Sequence, residues 1–299
     1  MASVVMARAR TADGRPPGIG LPTAAAAMVA IAPSQAPAVG VIAGLAGVTA
    51  IVGLAPATRS SSGTRPVVLT LLLAAPFAWL LAADASSVAW VRAVGLCGAT
   101  VAPVAARRTD AEWGRAGLTP GLFAITAAGV FAAVPNTEAA VTLLGAALPG
   151  ACAGWPLGRA RLGGAGAAGA TALLVWVAAT GAAGREPAIV GALACLGLLI
   201  ALPPGLWLAG RWRRAKVSCA RRAATGPLAA LVVQAAVVAV ASRVAGVSHG
   251  LWLAVPVAVA TLVVAAIAGA ALTACVPMGA PAGPGPRPPP AGGSPARVP

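Results

Sequence analysis

Apolar residues in this chain run in long blocks, and the polar residues collect in the short gaps between them. The blocks are Ile19–Ala32, Pro37–Pro56, Pro66–Ala83, Val88–Ala106, Ala116–Val134, Ala139–Leu157, Leu162–Ala183, Ala188–Gly210, Gly226–Ala245 and Leu251–Val276. Most approach the roughly 20 residues that a helix, rising about 1.5 Å per residue, needs to cross about 30 Å of hydrocarbon. A few such blocks suit the buried core of a soluble protein; a whole chain of them does not. The pattern predicts an all-α fold, a polytopic transmembrane helix bundle of about ten spans. Ile19–Ala32 is the shortest block, and it either spans or forms a re-entrant segment.

The same pattern divides the chain into a basic leader (1–18), a transmembrane helical domain (19–276) and a Pro- and Gly-rich tail (277–299). The tail has little to bury and is expected to be disordered and partly polyproline. The leader holds Arg8, Arg10 and Arg15, and Pro16–Pro17 interrupts the stretch where a signal peptide needs a continuous apolar core. It is expected to be retained. The gaps leave no room for a separate soluble domain, so any chemistry belongs to the helices or their ends. No convincing sequence repeat divides the ten blocks into two halves.

Composition supports the membrane class, because 59% of residues are hydrophobic and 9% charged, whereas a soluble chain carries roughly 25% charged residues. The net charge of +15 forms no contiguous basic domain, so a nucleic-acid partner is not expected. The arginines read instead as topology signals. With ten spans and the N-terminus in the cytoplasm, all but three of the 21 basic residues, Arg92, Arg185 and Arg243, fall on the cytoplasmic side. The C-terminus is then cytoplasmic too, and the location is the cell membrane, multi-pass. Tryptophan, which prefers the membrane boundary, agrees: Trp79, Trp90 and Trp252 fall near outer ends, Trp113, Trp155, Trp207 and Trp212 near inner ones, and Trp176 deeper. Six positive side chains between Arg211 and Arg222 could attract anionic lipid headgroups.

Candidate chemistry is sparse. Asp84, Arg92, Glu138 and Arg243, with Asn136, Arg185, Glu186 and His249, are expected to form a polar outer rim, either a substrate vestibule or ordinary capping and snorkelling. No carboxylate falls near a midplane, which disfavours a proton antiporter. Gln234 is the most polar side chain in the middle of any span, and Thr126, Thr142, Thr171, Thr180 and Thr261 add hydroxyls that serve either a ligand or interhelical hydrogen bonds. Among the prolines Pro76, Pro103, Pro149, Pro203, Pro204 and Pro256, the pair Pro203–Pro204 is the strongest candidate helix break. Gly150, Gly154 and Gly158 put three bare patches on one helix face for close packing, although the chain has 37 glycines and such spacing arises easily by chance.

Several enzyme classes are disfavoured by what the sequence lacks. Gly246-Val-Ser-His-Gly250 matches a nucleophile elbow, but it joins two apolar blocks rather than a strand and a helix. Asp110 and Glu112 are the only close pair of acids, and beside Arg107, Arg108 and Arg115 they read as local ion pairs in a cytoplasmic loop. Cys97, Cys152, Cys195, Cys219 and Cys275 include no Cys-x-x-Cys spacing, so neither a disulfide framework nor a metal site is expected. No catalytic residue, metal or cofactor is assigned.

Gly129-Val-Phe-Ala-Ala-Val-Pro-Asn-Thr-Glu138 and the Ala- and Arg-rich loops resemble multi-span membrane proteins of high-GC actinobacteria. That resemblance implies no particular activity. The expected function is permease-like transport of a small or lipid-like solute; the alternative is a non-catalytic subunit or scaffold of an envelope or secretion complex. The expected partners are the lipid bilayer and, for the scaffold, other membrane-complex subunits.

Overall fold

The computed structural model describes residues 18–22, 24–26, 39–55, 65–85, 88–114, 117–134, 138–154, 160–182, 185, 187–203, 226–247 and 251–273. Of these, 91% are helical and none lies in a strand. The named helices are α1 (Val39–Leu54), α2 (Arg65–Ala85), α3 (Ala89–Trp113), α4 (Leu118–Ala133), α5 (Glu138–Ala153), α6 (Gly164–Gly181), α7 (Ala188–Ala194), α8 (Gly226–Val247) and α9 (Leu251–Thr273). A short helical stretch, 197–203, continues from α7 after a break. Four helical segments are long and apolar enough to cross a membrane: Pro66–Ala85, Ala89–Trp113, Gly164–Gly181 and Val255–Leu272. Val39–Leu54, Leu118–Ala133 and Leu228–Arg243 are apolar but shorter.

Most helices end close to the block boundaries, because glycine or proline stands there. Gly117 has φ 71° where the chain turns from α3 into α4, and Gly163 has φ 78° just before α6, a region of backbone space that glycine enters without a steric penalty. The main departure is α3. Asp110 and Glu112, expected in a loop among arginines, lie in its last turns. No residue after Pro103 breaks the helix, and Ala99, Ala102, Ala106, Asp110 and Trp113 form one buried stripe at helical spacing. Of the first apolar block, residues 20–22 and 24–26 are helical. The leader, the basic loop Arg211–Arg222 and the C-terminal tail lie outside the described residues.

Helix packing divides into two groups. In the first, α6 is the central helix, buried throughout from Gly166 to Ala179; it packs on α3 and α1, and α2 closes the group against α1 and α3. In the second, α4 packs on α5 and α8, while α8 also carries α7 and α9. Contact between the two groups is sparse. Both expose rows of large apolar side chains, Val68, Leu69, Leu72 and Leu73 on α2 and Val255, Val259, Val263 and Ile267 on α9, as helices bathed in hydrocarbon do.

Small residues set the spacing inside the first group, as they do where membrane helices approach closely. A Cβ on Gly44 of α1 would lie 2.8 Å from the Phe77 carbonyl oxygen of α2. A close approach of backbone to backbone ties the start of the first apolar block to α6. Ile19 N–H donates to Arg161 O at 2.8 Å and Gly20 N–H to Leu162 O at 2.9 Å, and a Cβ on Gly166 would stand 2.6 Å from Gly20 Cα. Backbone cannot retreat from such a clash as a flexible side chain can. Gly166→Ala is therefore expected to cost about 1–3 kcal/mol, lower the melting temperature in detergent and speed hydrogen exchange at the Ile19 and Gly20 amides. Gly145→Ala, with open space around its Cβ, serves as the neutral reference. Equal melting temperatures for the two variants would refute the close-approach account.

Candidate functional site

The stretch from Ala188 to Pro203 would make one helix if its backbone ladder were continuous. It is interrupted at Cys195–Gly197: Cys195 N–H still bonds Gly191 O at 3.1 Å, but Leu196 N–H turns to Leu193 O at 3.1 Å and Leu199 N–H to Leu196 O at 2.8 Å. Gly197 sits at φ 40°, a left-handed conformation strained for any residue with a Cβ. Leu198 N–H and Cys195 C=O thereby lose their usual i, i+4 partners, in a region where both residues are fully buried. Unpaired backbone groups in an apolar interior are costly.

Gln234 of α8 satisfies both. Its Oε1 accepts from Leu198 N–H at 2.8 Å, and its Nε2 donates to Cys195 O and to Thr126 Oγ1, each at 2.9 Å. Thr126 in turn donates to Leu122 O at 2.8 Å. The orientation of the amide is dictated by its partners, because a backbone N–H requires the oxygen and a carbonyl requires the NH2 group. Gln234 is 0% exposed and uses both of its donors within the protein.

Other polar features share this depth. A Cβ on Gly98 of α3 would lie 3.1 Å from Val175 Cγ1 of α6 and 3.5 Å from Leu193 of α7, and one on Gly95 would lie 3.9 Å from Ala179. The α3–α6 pair is thus antiparallel, and one turn along each helix brings Ala102 and Pro103 level with Thr171. α7 continues along α3 until Thr109 Oγ1 donates to Leu199 O at 2.8 Å, which puts the break at the same level. Pro103 has no N–H to give the carbonyl one turn back. Thr171 is buried at 0% exposure and its Oγ1 has no hydrogen-bond partner. Thr70, Thr126, Thr180 and Thr261 donate to the carbonyl four residues back; Thr171 does not.

The residues singled out from sequence fall in several places. Asp84 is exposed at the end of α2, and its Oδ2 accepts from Trp176 Nε1 at 3.1 Å, which joins the rim to the tryptophan read as deeper. Arg92 is half-buried in the first turns of α3, Arg185 is exposed, and Arg243 is exposed on α8 in the other helix group. Glu138 opens α5; its side chain, with Asn136, Glu186 and His249, lies outside the described residues. Pro203 ends the 197–203 stretch and Pro204 falls outside the described residues, so the break the structure describes lies earlier, at Cys195–Gly197. Gly150 lies in α5, Gly154 is buried just after it, and Gly158 is not among the described residues. No group of His, Cys, Asp and Glu among the described residues is arranged to hold a metal ion.

A second polar cluster, which sequence reasoning missed, lies where α3 ends and α4 begins. Asp110, 3% exposed, accepts from Thr119 Oγ1 at 2.6 Å and from Leu162 N–H at 3.2 Å. Arg107 donates to the carbonyl oxygens of Val52 and Ala55 at the end of α1. The buried stripe running from Ala99 to Trp113 was the available signal, masked by the charges that suggested a loop.

Gln234→Leu keeps the side-chain volume but strands Leu198 N–H and Cys195 C=O. It is expected to destabilise the protein by about 2 kcal/mol or more and to expose the Leu198 amide to hydrogen exchange. Wild-type melting together with continued protection of that amide would show that Gln234 does not hold the break. Compared with known proteins, the chain matches no family model, no curated protein and no solved structure, so the resemblance to actinobacterial membrane proteins finds no support there.

Proposed function

We propose that the chain is a multi-pass protein of the cell membrane, with about ten spans and both termini cytoplasmic, that works as a permease for a small polar or lipid-like solute. The contacts of Ile19 with Arg161, Asp110 with Thr119 and Leu162, and Arg107 with Ala55 gather several segment ends at one end of the bundle. The basic loops adjoin these ends, as the positive-inside rule requires of a cytoplasmic face. Asp84, near the last residue of α2, lies toward the opposite end.

The observation that carries the transport reading is the discontinuous helix at Cys195–Gly197, buried half-way along its length and facing α3 of the first helix group. Broken helices near the midplane, at the junction of two helix groups, are where secondary transporters bind solute. Thr171 supports the same location. Its unpaired hydroxyl contributes nothing to the stability of the empty protein and is free to bond a polar group passing between α3, α6 and the break. Among the described residues no Asp, Glu, Lys, Arg or His lies at this level, which favours an uncharged solute over an ion.

Thr171→Val removes the hydroxyl without changing shape. Stability is expected to stay level or to rise by about 1 kcal/mol, while solute exchange falls. The measurement is the untargeted profile of small molecules inside and outside cells that lack the gene, complemented with wild type or with the valine variant at equal abundance. A permease gives a solute whose distribution wild type restores and the variant does not. If deletion shifts no solute, or the variant restores every shift, the transport reading fails and a scaffold role takes its place.

A further inference from the structure

The two helix groups are held within themselves by side-chain hydrogen bonds. In the first, Arg107 binds the end of α1, Trp176 binds Asp84, and Leu162 N–H binds Asp110. In the second, Gln234 and Thr126 bind α4, α8 and the break into one unit. Among the described residues the seam between the groups is crossed by hydrogen bonds at two consecutive residues of α3, and Leu162 N–H of the first group also reaches Thr119 Oγ1 at 3.5 Å. Asp110 accepts from Thr119 of α4, and Thr109 donates to Leu199 of the 197–203 stretch. These crossings sit toward the basic end, whereas at mid-depth Gly98 of α3 faces Leu193 of α7 across the seam through apolar contact.

We propose that Thr109 and Asp110 lock the basic end of this seam, and that releasing them lets the two groups rock apart there. The purpose of the lock rests on the permease reading; its geometry does not. Asp110 is suited to the task because Leu162 N–H anchors its carboxylate to the first group while Thr119 of the second reaches the same oxygen. Arg107 does not compete for it, being committed to the end of α1. Two donors converge on one buried oxygen from opposite sides of the seam, and a buried donor left without its partner is costly, so a short seam with few contacts can still be held shut. The Gln234 clasp makes α7 and the 197–203 stretch move with α8 and α4, so opening exposes the break from the α3 side.

Cys195, buried at the break, reports on that opening. The full chain, with the other four cysteines replaced by alanine, is placed in lipid nanodiscs and treated with a small hydrophilic maleimide. Cys195 is expected to react slowly in that background, and about tenfold faster or more in Thr119→Val and in Thr109→Val. Thr119→Ser, which keeps the hydroxyl, should return the slow rate. Thr180→Val, whose hydroxyl bonds only within α6, should leave it unchanged. Slow labelling in both Thr119→Val and Thr109→Val, or equal acceleration by Thr180→Val, overturns the lock. Should Thr119→Val fail to fold, Thr109→Val decides alone. Accelerated labelling in a protein whose deletion shifts no cellular solute would leave the lock standing and remove the permease.

Discussion

The constraint on which this structure turns is that a backbone amide or carbonyl inside an apolar bundle has no water to bond. A continuous helix answers it residue by residue. Where the helix breaks at Cys195–Gly197, the answer has to come from elsewhere, and Gln234 supplies a donor and an acceptor at the right separation. The position of α8 against α7, the contact of α4 through Thr126 and the left-handed Gly197 all belong to that one arrangement. The other polar contacts in the core follow the same rule: the hydroxyls of Thr126 and Thr180 return to their own helix, and the Asp110 side chain is reached by a hydroxyl and a backbone amide.

The fold class was legible because hydropathy is a one-dimensional property: a block of apolar residues bounded by glycine, proline and arginine reads as a helix without any tertiary knowledge. Helix ends in α4, α6 and α8 accordingly fall near their expected places. The features that organise the candidate site were less legible. Gly197 is one glycine among 37, and nothing local distinguishes it from those that merely allow close packing. Gln234 stood out as polar, but its role depends on residues far away in sequence. Asp110 was obscured by its neighbours, since Arg107, Arg108 and Glu112 are loop-like by composition and only the buried stripe reveals the helix. Thr171 looked like any other threonine, because the absence of a bond to the preceding turn is a property of coordinates.

Alanine and glycine dominate the core, which gives helix packing of an uncommon kind. Small side chains offer little area each, so cohesion comes from backbones brought near enough for many weak contacts. Such interfaces are sensitive to added volume and comparatively tolerant of sliding. A protein built this way keeps its few strong, directional bonds for the places where sliding has to stop, and the polar pairs at the break and at the end of α3 occupy two of them.

The pairing of Ile19 and Gly20 with Arg161 and Leu162 has a consequence for how the molecule is made. The first segment leaves the ribosome early, while its backbone partners lie in the second half of the chain. Until those residues arrive, the amides of Ile19 and Gly20 must be satisfied by water or lipid headgroups at the membrane surface. Assembly therefore cannot proceed strictly in order of synthesis: Ile19 and Gly20 settle only once Arg161 and Leu162 have been made, after the intervening helices α1 to α5.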